Sequence, residues 1–258
     1  LRNLWIKTGL LTYPIRRWPL TRIAVLQPST FGKGLEMTRE ALERGSNVVL
    51  LPEKWTEEFN LDQFISLSRL FNNSIIIPGA FEDQGRNSAY IIHNGKIVGK
   101  VSKSHLFSTE RDRIQSGEGP TVLDYKGIRF GVAICYDVNF PELVRELIKS
   151  GADVLLVPGK VKWKAIDMWL IYLRARALEN RIPVFSSMAY DEQEFLGGSS
   201  ILVPIINEFV ELRELHLGNK KDSYIIYDIN DELIYNLRKL RRERILELRS
   251  YKVNEVKI

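Results

Sequence analysis

Three residues of this chain combine reactive side chains with settings that suit nucleophilic catalysis: Cys135, Glu53 and Lys103. Cys135 is the only cysteine and the only soft nucleophile. It follows the apolar run RFGVAI (129–134) and precedes a helical pattern over 141–149, which presents its thiol at a strand end. A free thiol titrates at about 8.5, so attack at neutral pH needs a base or a positive neighbour. Glu53 follows the strand VVLL (48–51) and Pro52, where burial strengthens a carboxylate as a base. Lys103 follows a strand over 97–101 in GKIVGKVSKSHLF and carries the charge that steadies a thiolate or an oxyanion. Plainer readings compete: an inert buried cysteine, an exposed loop glutamate, a solvated lysine. His105 invites a Cys–His dyad, against which stands a hydrogen-bonded structural role.

The elements that must position these residues are written twice. REALERGSNVVLLPEK (39–54) and RELIKSGADVLLVPGK (145–160) share Arg, Glu, Gly, Val, Leu, Pro and Lys in register. Each reads as a helix end, a Gly stop, a strand apolar at every position, then Pro. The second copy has Gly159 where the first has Glu53, so the layout itself does not require an acid there. Helical segments follow at 61–71 and 165–180, then SIIIPGAF and IPVFSSMAY, then NSAYIIHNGKIV (87–98) and GSSILVPIINEFV (198–210). Asn94-Gly95 signals a hairpin. The last pairing sets RFGVAI (129–134) against YIIYDI (224–229). The expected fold is α/β: a four-layer αββα sandwich with an internal pseudo-twofold repeat, in one domain over 21–258 that includes a C-terminal helical tail.

Composition narrows the function classes. Of 258 residues, 45% are apolar and 27% charged, which supports a large core and excludes disorder as the main state. With one cysteine an internal disulfide is impossible. The single cysteine and three scattered histidines argue against a structural zinc site, and no metal is expected. The net charge is +5, but residues 1–20 carry Arg2, Lys7, Arg16 and Arg17 and no acid, leaving only +1 for the rest. No nucleic-acid partner is expected from so balanced a body. No apolar run approaches the roughly 20 residues of a membrane span, and a cytoplasmic location is expected. Residues 1–20, with Trp5 and Trp18, form an N-terminal extension open to three readings: a subunit-packing arm, an interfacial anchor, or an unstructured extension of little consequence. Pro14, Pro19 and Gly9 interrupt any long helix there. The run RKLRRER (238–244) reads as a solvated or subunit-facing surface of the C-terminal helix. Abundant Lys, Arg, Glu and Ile with few Met and Cys hint at a thermophilic source.

From residue 22 onward the chain resembles the nitrilase, or carbon–nitrogen hydrolase, superfamily. The resemblance is carried by RIAVLQ (22–27), LLPE (50–53), NSAYII and GKIVGKVSKSHLF (within 87–107), Glu110, GVAICYDVNFPELVREL (131–147), RARALEN (174–180) and GGSSILVP (197–204). It implies a Glu–Lys–Cys triad: Glu53 as general base, Lys103 as oxyanion-stabilising ammonium and Cys135 as nucleophile. Glu110 matches a second glutamate that positions triad and substrate, and the backbone N–H of Tyr136 completes the oxyanion hole. The implied reaction is hydrolysis of a small amide through a cysteine thioester, with no cofactor. Nitrile or N-carbamoyl hydrolysis is the alternative, and thioester-dependent acyl transfer a further one. A homodimer or larger homo-oligomer is implied. Two departures stand out: Asn139 where many amidase-like members carry Arg, which bears on substrate choice, and the missing Gly of a P-x-G segment in VPIINEF (203–209), which implies a different turn.

The echo also suggests pocket walls. The loops EKWTEEF (53–59) and GKVKWKAID (159–167) leave equivalent strands and bring Lys54, Trp55, Lys160, Lys162, Trp163 and Lys164 toward the cleft. Trp55, Lys160 and Trp163 are therefore pocket candidates, the resemblance adds Asn139, and neutral or anionic amides are the expected substrates. The competing reading leaves these lysines as solvated surface charges.

Overall fold

The computed structural model describes residues 20–218 and 221–246. The arm expected over residues 1–20 lies outside them, apart from Leu20. The described chain runs β1 (Leu20–Gln27), α1 (Phe31–Glu43), β2 (Val48–Leu50), α2 (Leu61–Leu70), β3 (Ile75–Ile77), β4 (Ala80–Asp83), β5 (Arg86–His93) and β6 (Lys96–Ser102). The second half runs β7 (Thr121–Tyr125), β8 (Ile128–Val132), α3 (Pro141–Lys149), β9 (Val154–Gly159), α4 (Ile166–Asn180), β10 (Val184–Met188), β11 (Ser200–Ile206) and β12 (Val210–His216). β13 (Ser223–Asn230) and α5 (Asp231–Leu246) close it.

Two mixed sheets result. One is ordered β13-β1-β2-β3-β5, with β4 and β6 also on β5; the other is β12-β11-β10-β9-β8-β7. In each, three central strands are parallel and the flanking pairs antiparallel. Strand side chains alternate between faces, so each apolar run serves two cores. Val48 and Leu50 join Ile23, Val25, Val154 and Leu156 between the sheets. Val49 and Leu51 face the other way, onto Met37 and Ala41 of α1 and Phe64 of α2. Leu155 and Val157 pack with Val144 and Leu147 of α3 and Leu173 of α4. These three cores make the αββα sandwich expected from the sequence. Among the described residues no helix is long and apolar enough to cross a membrane.

The repeat is visible in hydrogen bonds. α1 stops at Gly45 (φ 82°) and α3 at Gly151 (φ 85°). In both, the glycine N–H and the next one reach back to the last turn: Gly45 to Leu42 and Ser46 to Ala41, Gly151 to Ile148 and Ala152 to Leu147. One pairing of the echo is corrected. β8, which carries RFGVA, lies antiparallel to β7 and parallel to β9, as β1 lies antiparallel to β13 and parallel to β2. RFGVAI is thus the counterpart of RIAVLQ, and YIIYDI (β13) is the counterpart of TVLDY (β7). The order of apolar runs along the chain concealed this, because β13 returns to the first sheet from the far end of the sequence.

The basic run on α5 is also corrected in part. Arg241 is buried and donates to Asp153 Oδ1 at 2.7 Å, while Arg238 forks onto both Asp153 oxygens. Asp153 is 1% exposed. Two of the arginines therefore clamp α5 to the start of β9, Arg241 buried and Arg238 with its side chain still 46% exposed.

Candidate active site

Glu53, Lys103, Glu110 and Cys135 converge at one end of the sandwich, beyond the C-terminal ends of β2 and β8, where reactive groups collect in parallel sheets. Glu53 prolongs β2: it bridges Ala80 in parallel register, and Lys54 N donates to Ala80 O at 2.9 Å. Lys103 follows β6 and is pinned by its N–H to Asn87 O at 2.8 Å and by Gly117 N to its carbonyl at 2.8 Å. Glu110 sits in a 3-10 turn (Ser108–Asp112) and its Oε2 accepts the Phe107 N–H at 2.9 Å. Cys135 opens the 3-10 turn Cys135–Asn139 with φ of 46°. That left-handed value is uncommon for a residue with a Cβ, and such outliers concentrate at functional sites.

The side chains form a nearly sealed charge cluster. Lys103, 2% exposed, donates to Glu53 Oε1 at 2.8 Å and to Glu110 Oε2 at 2.9 Å. Asn87 Nδ2 donates to Glu53 Oε1 at 2.7 Å and to Glu110 Oε1 at 3.2 Å. Lys54 Nζ donates to Glu110 Oε1 and Glu82 Oε1, both at 2.6 Å. Burial alone would push the Lys103 ammonium down, but the charge of Glu53 and the proximity of Cys135 outweigh it and hold the group above its ordinary range. Burial would likewise raise Glu110, yet Lys54, the Phe107 N–H and Lys103 bring it down to about 2. Cys135 is pushed well up by burial, with Glu53 adding to the effect and Lys103 opposing it. The resting pattern is a neutral thiol beside an ionised Glu110 and a protonated lysine.

Asp137 joins the Cys135 turn to the Lys103 loop. Its carboxylate accepts the N–H of Ile134 at 3.1 Å, of Ser104 at 3.3 Å and of His105 at 2.7 Å. The His105 ring nitrogen Nδ1 lies 3.0 Å from Asp137 and the ring stacks on Phe140 at 3.6 Å. This places His105 in a structural bracket, not in a Cys–His dyad. From the other side Arg176 of α4 donates to the carbonyls of Val138 at 2.8 Å and Asn139 at 3.1 Å.

The pocket candidates separate. Lys160 faces the cluster: its Nζ donates to Lys54 O at 2.8 Å and lies 4.6 Å from the centre of the Phe195 ring, and its carbonyl is 3.8 Å from Cys135 Sγ. Burial pushes its ammonium down, against the pull of Asp191 and Glu53. Asn139 ends the Cys135 turn, and the Tyr136 ring packs edge-on between Phe107 and Phe140. Trp163 is half exposed on a short 3-10 turn (Trp163–Ala165) with Lys164 over its ring, and Lys162 pairs with Glu194. Trp55 is a correction. Lys54 is left-handed (φ 41°), and the next side chain turns away from the cleft. The indole stacks on Phe31, donates to Pro78 O at 2.9 Å and fills the helix-side core. Reading the sequence assigned no role to Asn87 or Asp137. The signal available was a polar residue at a strand start and an acid just after the cysteine, both inside otherwise apolar surroundings.

The chain belongs to the carbon–nitrogen hydrolase family, whose sequence pattern matches residues 20–239. It is 27% identical over 202 residues to the 2-oxoglutaramate amidase of Bacillus subtilis, covering 69% of this chain and 78% of that protein. With an omega-amidase of Xenopus tropicalis it shares 26% identity, covering 91% and 95%. A probable nitrilase of Schizosaccharomyces pombe is 33% identical across 58% of this chain. The match spans about half the length, 54%, of that protein and of a second hydrolase from the same yeast. Two solved structures share the fold. Nit3 of Saccharomyces cerevisiae has a TM-score of 0.70 and 23% identity, over 86% of this chain and 94% of that one. An amidase from Nesterenkonia, with the acetamide moiety of fluoroacetamide added to its active-site cysteine, has a TM-score of 0.69 and 22% identity, over 93% and 99%.

Proposed function

We propose that this carbon–nitrogen hydrolase cleaves small amides through a thioester on Cys135. The observation that carries the reading is the sealed Glu53–Lys103–Glu110 cluster against the only thiol of the chain. Because burial keeps the thiol protonated, attack needs a base at the moment of bond formation. Glu53 accepts the proton as Cys135 Sγ bonds to the amide carbon. The carbonyl electrons move to oxygen, where Lys103 and the Tyr136 N–H oppose the charge, a contribution of roughly 3–4 kcal/mol per donor. Glu53 returns the proton to the departing nitrogen, leaving the thioester. Water then attacks the thioester carbon as Glu53 takes its proton, the C–S bond breaks to release the acid, and Glu53 hands the proton back to Cys135 Sγ. Glu110 holds Lys103 in place throughout.

Amides are preferred over nitriles and carbamoyl compounds because the relatives matched over most of their own lengths include a 2-oxoglutaramate amidase and an omega-amidase. A matched panel of amides, nitriles and carbamoyl compounds, assayed for ammonia, tests this. Fastest turnover of an amide supports the reading; turnover of nitriles alone overturns it.

A further inference from the structure

Asn87 is fully buried at the start of β5. Its amide donates to Glu53 Oε1 at 2.7 Å and Glu110 Oε1 at 3.2 Å, and its backbone carbonyl accepts from Lys103 N at 2.8 Å. Its own Oδ1 is buried with no partner among the described residues. A half-satisfied buried amide is costly, and an apolar residue of similar size avoids that cost. The residue is therefore explained by its two N–H donors. Glu53 Oε1 already receives Lys103 Nζ at 2.8 Å, so two donors sit on one oxygen, and the remaining side-chain neighbour of the carboxylate is the Cys135 thiol.

We infer that Asn87 is a positioning residue that selects the working oxygen of the base: with Lys103 it occupies Glu53 Oε1 and leaves Oε2 to receive the Cys135 proton. The inference rests on the hydrolase reading above. As the sulfur pair forms the S–C bond, the thiol proton moves to Oε2; as the C–N bond breaks, the same proton leaves on nitrogen. Asn87 exchanges nothing. A neutral amide suits the place, because a further ammonium there would add a group able to titrate and a further carboxylate would repel both acids. The groups that face Glu53 are Lys103, Glu110, Asn87, Cys135, Lys54 and Lys160. Of these only Asn87 is a non-titrating donor.

Removing a donor from the ionised carboxylate favours its protonated form. Asn87→Ala should move the acid limb of the kcat/KM profile to higher pH by about one unit and slow acylation roughly 10- to 100-fold through misplacement of the carboxylate. Asn87→Asp, of the same shape without the donors, should slow it further. Circular dichroism at each pH gives the folded fraction by which the rate is normalised, so a poorly folding variant still reports. Ser88→Ala removes a neighbouring β5 contact to Ser102 Oγ (2.9 Å) that does not touch the acids, and should shift the melting temperature while leaving the limb in place. An unmoved limb in Asn87→Ala, with only a lower melting temperature, overturns the assignment. Failure of the wild-type enzyme to form a thioester with any amide overturns the hydrolase reading itself, and is seen before any variant is made.

Discussion

Leu51-Pro52-Glu53-Lys54, just past β2, and Val157-Pro158-Gly159-Lys160, at the end of β9, occupy equivalent places in the two halves. At the first exit Glu53 has room to turn into the cluster with Lys103 and Asn87. At the second, a Cβ on Gly159 would stand 2.9 Å from Met188 Sδ and 3.3 Å from Trp169, so any side chain there must displace Met188. The lysines differ as well. Lys54 joins the two glutamates Glu82 and Glu110, whereas Lys160 reaches back to the Lys54 carbonyl and straps the halves together. At the opposite ends of the same strands, Asn47 Oδ1 accepts the Arg22 N–H at 2.9 Å and Asp153 Oδ2 the Arg129 N–H at 3.0 Å. Only Asp153 goes on to take Arg238 and Arg241 of α5. A duplicated frame has thus been divided: the first half carries the acid of the buried cluster, and the second supplies closure and anchorage.

The largest expected effect breaks the catalytic side of this contrast. Glu53→Gln keeps the shape and loses the base, so kcat/KM should fall by about 10²–10⁴ with the fold intact. Steady-state kinetics alongside circular dichroism check it; a fall below tenfold would remove Glu53 from the reaction. Next comes the anchorage. Asp153→Ala leaves the buried Arg241 and its neighbour Arg238 without their carboxylate, which should cost about 3–5 kcal/mol in urea unfolding. Asn47→Ala, at the equivalent position, loses one hydrogen bond and should cost about 1 kcal/mol. Equal losses at the two positions would erase the distinction.

Gly159→Ala sharpens the comparison from the crowded side. Overpacking against Met188 and Trp169 should destabilise by about 1–3 kcal/mol while leaving the rate per folded molecule unchanged. A neutral or stabilising result would mean that space does not exclude a side chain there. The smallest effect is one of acid. Glu110 sits at about 2 against an ordinary 4.5, so its contribution to stability is complete above pH 4.5 and is lost as pH falls toward 2. Glu110→Gln should flatten the stability profile across that window, measured by thermal melting at a series of pH values.

Much of the frame is legible in the sequence because its signals are local. Pro141 at the first helical position and Gly151 after the last turn bound α3 at 141–149 as expected. Asn94 (φ 48°) and Gly95 (φ 70°) take the two left-handed places of the β5–β6 hairpin. Three strand-end positions were enough to nominate Glu53, Lys103 and Cys135. What the sequence hides are partners distant along the chain. Asn87 becomes informative only when Glu53, 34 positions away, is seen against it. Arg241 reads as surface until Asp153, 88 positions away, is placed beneath it. Trp55 misleads for a different reason: adjacency to Glu53 suggests the cleft, but the left-handed turn at Lys54 sends the indole to the helix layer.

The most direct test is intact-mass measurement after rapid acid quench of the enzyme with a small amide. The wild-type chain should gain the mass of the acyl group, the modified peptide should contain Cys135, and Cys135→Ala should show neither adduct nor turnover. Near-normal hydrolysis by folded Cys135→Ala, or an adduct mapped to another residue, would contradict the thioester mechanism and with it the role given to the Glu53–Lys103–Glu110 cluster.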